Sequence, residues 1–221
     1  MARNHRFAPG EWYHCYNRGV EKRTTFLSAT DYHRFMLLMY TCNSSEPYEN
    51  LTYRNESLAD AIERQGRTGT PLVAIGVYCM MPNHFHFLMK EVVEGGIAKF
   101  MQKAITGYTM YFNKKYERSG PLFVAGVFKS RHVDADVYLQ HVASYIHLNP
   151  TDLKLKWPEV LTFPYSSLAD FDKTTHRIQK SLLDDEIFTL INQDLMHNSL
   201  KEAAGVYATK LESPESKPRD F

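Results

Sequence analysis

The spacing of apolar and polar positions sets out one order of elements. Trp12 to Asn17 reads as a first strand, closed by Arg18 and Gly19. From Asp31 to Cys42, the residues Phe35, Leu38, Met39 and Cys42 fall on one helical stripe, with Ser28 or Thr30 placed to cap it. Asn43 to Thr70 is polar and holds Gly66 and Gly69, which predicts an irregular connection with a short helix near Ser57 to Gln65. Leu72 to Met80 is an almost unbroken apolar run with Val, Ile and Tyr, the pattern of a buried strand. Met81, Pro82 and Asn83 turn the chain, and His84 to Met89 completes a hairpin. Ile97, Phe100, Met101, Ala104, Ile105, Tyr108, Tyr111 and Phe112 keep helical spacing. Ser119, Gly120 and Pro121 end that helix, and Leu122 to Phe128 reads as a short fourth strand. Asp134 then caps a helix that runs to about Leu148, where Pro150 stops it. Leu182 to Met196 has the pattern of one more helix, and Ser213 to Phe221 that of a frayed end.

Strand, helix, hairpin, helix, strand is the order of a ferredoxin-like split βαβ unit. The fold expected is α+β: an antiparallel sheet with helices on one face, plus a C-terminal helical extension. The division expected is a main domain over residues 1–170 and an extension over residues 171–221.

Composition narrows the class. The chain has 221 residues, 43% hydrophobic and 23% charged, which is globular composition and argues against a disordered chain. A formal net charge of +1 does not decide for or against nucleic acid, but its distribution bears on partners. Between Lys99 and His132 there are seven basic residues and one acidic residue, whereas Ser181 to Phe221 holds eight acidic and four basic. The middle of the chain suits phosphates and the tail does not. Cys15, Cys42 and Cys79 lack zinc-ligand or redox spacing, as expected of reduced thiols. The N-terminus has no apolar signal core, and the longest apolar stretch is too short to cross a bilayer. A cytoplasmic protein without membrane contact is the expectation.

Two short motifs carry possible chemistry. In a strand, His84 and His86 emerge on one face while Phe85 and Phe87 point into a core. Two such imidazoles can bind a divalent metal, although a His-x-His pair is more often an ordinary surface pair. On a helix, Tyr145 and Asn149 share a face, and Pro150 puts Asn149 at the helix end. Taken alone, that pair reads as packing and a cap.

Together the motifs say more. The run Tyr78 to Leu88, containing Pro82, Asn83, His84, Phe85 and His86, resembles the His-hydrophobic-His motif of single-tyrosine HUH transposases. The run Tyr145 to Pro150 resembles that family's catalytic helix. The segments Tyr13 to Gly19, Arg118 to Phe123 and Phe128 to Ser130 also match, with a looser match at Pro164 to Ser167. The resemblance spans Glu11 to Leu168 and is nearest to the REP-associated tyrosine transposases. The chain departs from that pattern at Thr151 to Lys154, and has Phe123 and Tyr165 where many relatives have Trp.

The resemblance implies an endonuclease acting on single-stranded or hairpin DNA in transposition. Tyr145 would be the nucleophile and would form a 5′-phosphotyrosine. His84, His86 and Asn149 would hold a divalent metal, Mg2+ or Mn2+. The DNA-binding residues expected are Lys103, Lys114, Lys115, Arg118, Lys129 and Arg131, with Tyr108, Tyr111 or Tyr116 available to stack on bases, although their spacing matches a buried stripe. His147 faces away from Tyr145 and is not expected to be a base; His14 reads as a packed or hydrogen-bonded strand residue. The family includes monomers and homodimers. The competing expectation is a non-catalytic single-stranded DNA or RNA binding protein derived from a transposase.

Overall fold

The computed structural model describes residues 6–47, 56–65, 69–124, 128–134, 136–172, 174–192, 196 and 200–202. Four strands, β1 (Trp12–Arg18), β2 (Val73–Met81), β3 (His84–Glu91) and β4 (Lys129–Val133), form one antiparallel sheet in the order β2-β3-β1-β4. The helices are α1 (Ala29–Thr41), α2 (Leu58–Gln65), α3 (Gly96–Lys115), α4 (Asp136–Leu148), α5 (Trp157–Leu161) and α6 (Ile187–Leu190). The protein is thus a mixed α+β fold with a C-terminal helical extension. No helix among the described residues is long and apolar enough to cross a membrane.

The core lies between the sheet and the helices α1 and α3. Phe85 and Phe87 of β3 meet Phe35 of α1 at ring-centroid distances of 5.3 and 6.2 Å, and Phe87 meets Phe100 of α3 at 6.4 Å. The join from β3 to α3 is made by a buried carboxylate. Glu91 accepts from the Gly95 and Ile97 N–H groups at 2.7 and 2.9 Å, which satisfies donors that a helix start leaves open. Asp31 does the same for α1, accepting from the Leu27 and Ser28 N–H groups.

Helices lie on both faces of the sheet rather than on one. α1 and α3 cover the phenylalanine face, while α4 packs on the other face against β2 and β3. The physical reason is β2, whose nine residues are all buried and so need cover on both sides. Its outer edge is also occupied: Met80 N–H donates to Tyr165 O, and Ser167 N–H donates to Tyr78 O.

Two further expectations differ from the structure. The fourth strand is Lys129–Val133 rather than Leu122 to Phe128, of which residues 125–127 lie outside the described residues; Leu122 and Phe123 are instead buried beside the end of β1, with an isolated bridge between Gly19 and Phe123. The sequence of β4, with Lys129 and Arg131 exposed, is that of a polar edge strand and lacks an apolar run. Among the described residues, which leave out 193–195, the helix expected from Leu182 to Met196 is interrupted: a 3-10 turn ends at Leu182 and α6 covers Ile187–Leu190. Docking decides this segment, because Asp184 N–H donates to Ile75 O at 2.8 Å and the buried Ile187 sits over Gly76. Ser213 to Phe221 lies outside the described residues.

Candidate active site

Strand alternation turns His84 and His86 to the face opposite Phe85 and Phe87. Register then fixes their neighbours. Tyr16 of β1 pairs with His86, and Lys129 of β4 pairs with Tyr16; His14 pairs with Leu88 on one side and Arg131 on the other. Cross-strand partners share a face. One surface therefore carries His84, His86, His14, Tyr16, Lys129 and Arg131.

The last turn of α4 stands over this surface. Tyr145 lies edge-on to the His86 ring at 5.6 Å and to the His14 ring at 5.8 Å. Asn149 Oδ1 lies 3.3 Å from His84 Nε2. Tyr145 is 52% exposed, whereas His86 and Asn149 are buried. Tyr145, His84 and His86, far apart in sequence, thus meet at one rim with Asn149.

Hydrogen bonds orient the donor atoms. Asn149 Nδ2 donates to the carbonyls of Tyr145 and Ile146 at 2.9 and 3.2 Å, closing the end of α4. This directs Oδ1 at His84. Asn83 Nδ2 donates to Lys22 O at 3.2 Å, which leaves Asn83 Oδ1 to accept from His84 Nδ1 at 2.7 Å. Neutral His84 then carries its proton on Nδ1 and a lone pair on Nε2. That lone pair faces the Asn149 oxygen, and two acceptors 3.3 Å apart repel unless a cation or proton lies between them.

The proton is disfavoured. Burial lowers the pKa of His84, and Arg18 adds to this against the opposing Asn149 hydrogen bond. Burial, then His14 and His84, holds His86 well below the ordinary imidazole range. Burial, helped by Arg131, lowers His14 to about 4. A neutral His84 imidazole facing an amide oxygen, with the His86 ring 5.1 Å from that of His84, offers donors suited to a divalent cation. Among the described residues, no group of three or more His, Cys, Asp or Glu side chains is placed to hold a metal; the donors here are two imidazoles and an amide.

The six basic residues divide. Lys129 and Arg131 share the histidine face, where Arg131 also reaches the Tyr138 hydroxyl at 3.4 Å. Lys103, Lys114 and Lys115 belong to α3, which packs on the opposite face, and Arg118 follows it in the chain. Lys103 donates to Ser44 O at 3.0 Å, and Lys115 pairs with the buried Asp31 at 2.7 Å. Arg118 is tied to Asn113 and to Pro121 O. The phenols weighed as base-stacking groups turn inward: Tyr108 bonds Thr25 O, and Tyr111 and Tyr116 both donate to Asp31. Their helical spacing already marked that buried stripe. His147 is fully buried, with Nε2 2.9 Å from Ser167 Oγ, and so braces α4.

His14 and Tyr16 are the site residues that sequence reasoning passed over. His14 is hydrogen-bonded, as its place in β1 suggests, but its partner is His86, with Nε2 2.9 Å from Nδ1. Tyr16 stacks on His86 at 5.5 Å. The available signal was a second pair of rings at i, i+2 in a strand due to lie beside β3.

No family model matches the chain, and no curated protein is similar to it in sequence. One solved structure, a REP-associated tyrosine transposase bound to a REP hairpin, is similar in fold with a TM-score of 0.51 and 15% identity, over 81% of this chain and 90% of that chain.

Proposed function

We propose that the protein is a HUH-type single-tyrosine enzyme that cuts and rejoins single-stranded DNA, with hairpin DNA as its substrate class. The observation that carries the reading is the approach of the exposed Tyr145 to His86 at the rim where His84 faces Asn149. Two further points support it. The order β2-β3-β1-β4 with antiparallel neighbours is that of a split βαβ sheet. The solved protein of similar fold is described as a tyrosine transposase on a hairpin.

His84, His86 and Asn149 would hold Mg2+ or Mn2+, which when bound polarises the scissile phosphate and stabilises developing charge. The Tyr145 oxygen attacks phosphorus and gives up its proton to solvent. A phenol–phosphate bond forms as the bond to the 3′ oxygen breaks, and that oxygen leaves with the electron pair and takes a proton from solvent to become a 3′-hydroxyl. The enzyme keeps a 5′-phosphotyrosine, and a 3′-hydroxyl attacking it reverses the step. Lys129 and Arg131 hold flanking phosphates on the open part of the same face.

The test is a covalent adduct that survives denaturing electrophoresis. Wild type with a hairpin oligonucleotide and Mn2+ should form it, His86→Ala should lose metal-dependent cleavage, and Tyr145→Phe should form no adduct while still binding DNA. Salt-dependent binding with no adduct in wild type would make the protein a binding module and overturn the reading.

A further inference from the structure

We infer that His14 is a positioning residue that sets the tautomer of His86 and thereby decides whether His86 can ligate a metal. The inference rests on the metal-site reading above.

His14 Nε2 and His86 Nδ1 lie 2.9 Å apart, so one proton lies between them. It can belong to either ring. If His86 Nδ1–H donates, the lone pair of His86 is on Nε2, and the proton of His14 is on its own Nδ1. If His14 Nε2–H donates, the proton of His86 is forced onto Nε2, and that nitrogen has no lone pair to offer. The two arrangements have the same charge and the same heavy-atom positions. They differ in which nitrogens carry protons, and only the first leaves His86 able to ligate through Nε2. An outer partner that accepts from a ligand imidazole commonly fixes both tautomer and orientation.

The surroundings hold His14 in place for this. Its ring lies nearly parallel to that of His86, at 24° and 5.1 Å, and meets the Tyr16 ring at 5.0 Å. The side chain is 9% exposed. Because Leu88 is its direct partner across the sheet, His14 reaches His86 diagonally. His84 has the equivalent brace in Asn83, which accepts from its Nδ1. The two candidate ligands are thus oriented from different places, His84 from the turn before β3 and His86 from β1.

Two substitutions separate acceptor from packing. His14→Gln places an amide oxygen at about the reach of Nε2, so it can still accept. His14→Phe keeps a ring beside Tyr16 and His86 but cannot accept. Mn2+ binding to the full chain without DNA is read by electron paramagnetic resonance of the free ion. His14→Phe should bind Mn2+ about 10–100-fold more weakly than wild type, and His14→Gln should recover most of the loss. Nitrogen-15 spectra of labelled histidine supply the second readout. Metal-free wild type should show His86 protonated at Nδ1, and His14→Phe should shift it toward Nε2. Equal Mn2+ affinity in His14→Phe and wild type overturns the role of His14 alone. Equal weakness in Gln and Phe variants does the same, because an acceptor would then not matter. Wild type that binds no Mn2+ overturns this inference together with the metal site. If the Phe variant does not fold, a wild-type His86 protonated at Nε2 still refutes the proposal.

Discussion

Asn149→Asp separates two jobs carried by one side chain. The amide nitrogen donates to the Tyr145 and Ile146 carbonyls at 2.9 and 3.2 Å, while its oxygen faces His84 Nε2 at 3.3 Å. The substitution keeps an oxygen toward His84 and sets a second oxygen against two carbonyls. Two hydrogen bonds at about 1 kcal/mol each are lost, and repulsion at a buried position adds a similar amount, so metal-free protein should lose about 2–4 kcal/mol at pH 8. For a chain of this size each kcal/mol lowers Tm by about 2–4 °C. The new carboxyl is buried beside carbonyl oxygens, so its folded-state pKa should lie above its unfolded value of about 3.9. The ionisation part of the penalty should therefore be absent below that value, grow as pH rises, and be complete above the raised pKa, with the loss of one of the two donor bonds remaining at low pH. Protonated, the carboxyl can donate to a carbonyl again. Mn2+ should raise the Tm of the variant more than that of wild type, because a carboxylate is the stronger ligand. Melting curves from pH 4 to 8, with and without Mn2+, test each step. A variant as stable as wild type at pH 8 without metal would refute the orientation assigned to Asn149.

Other outcomes follow from the same geometry. Lys129→Ala and Arg131→Ala should weaken single-stranded DNA binding and reduce its log–log salt slope by roughly 0.7 for each phosphate no longer neutralised, while Lys115→Ala should leave the slope unchanged and lower stability. Asp31 is a separate stability test. Burial raises the pKa of its carboxyl, but bonds from Lys115, Tyr116, Leu27 N–H and Tyr111 outweigh this and hold it below the ordinary value. Its contribution is present above about pH 4 and lost as pH falls through the depressed value. Asp31→Asn should cost about 2–3 kcal/mol at pH 7, and the gap to wild type should close in acid, as followed by urea unfolding at each pH. Gly96→Ala should be severely destabilising, because a Cβ there would lie 2.1 Å from the Leu72 carbonyl oxygen; about 3 kcal/mol is expected from denaturant midpoints.

The strongly periodic elements were legible in the sequence because side-chain burial follows one rule along their length. The stripe from Ile97 to Phe112 and the apolar run into β2 are the clearest cases. The strand β4 was not legible, since an edge strand whose Lys129 and Arg131 meet solvent has no apolar signature. The segment after Ile178 departs from its helical pattern because its backbone bonds to Ile75 O, and no local signal marks that bond. Alternation alone placed His84 and His86 on one face, but spacing cannot reveal that α4 crosses that face. Nor can it reveal that β1 pairs with β3 so that His14 reaches His86. The basic residues show the same limit. Charge density marked the region Lys99 to His132, yet only register shows that Lys129 and Arg131 share the histidine face while Lys115 is engaged by Asp31.

Mapping of the covalent bond is the most direct test of the central claim. Wild type would be incubated with a hairpin oligonucleotide and Mn2+, digested with trypsin, and fragmented by mass spectrometry. The peptide from His132 to Lys154 contains two tyrosines, Tyr138 and Tyr145. A 5′-phosphonucleotide is expected on Tyr145, absent when Mn2+ is removed. A nucleotide on Tyr138 or elsewhere in the chain, or cleaved DNA with no protein attached, would contradict it.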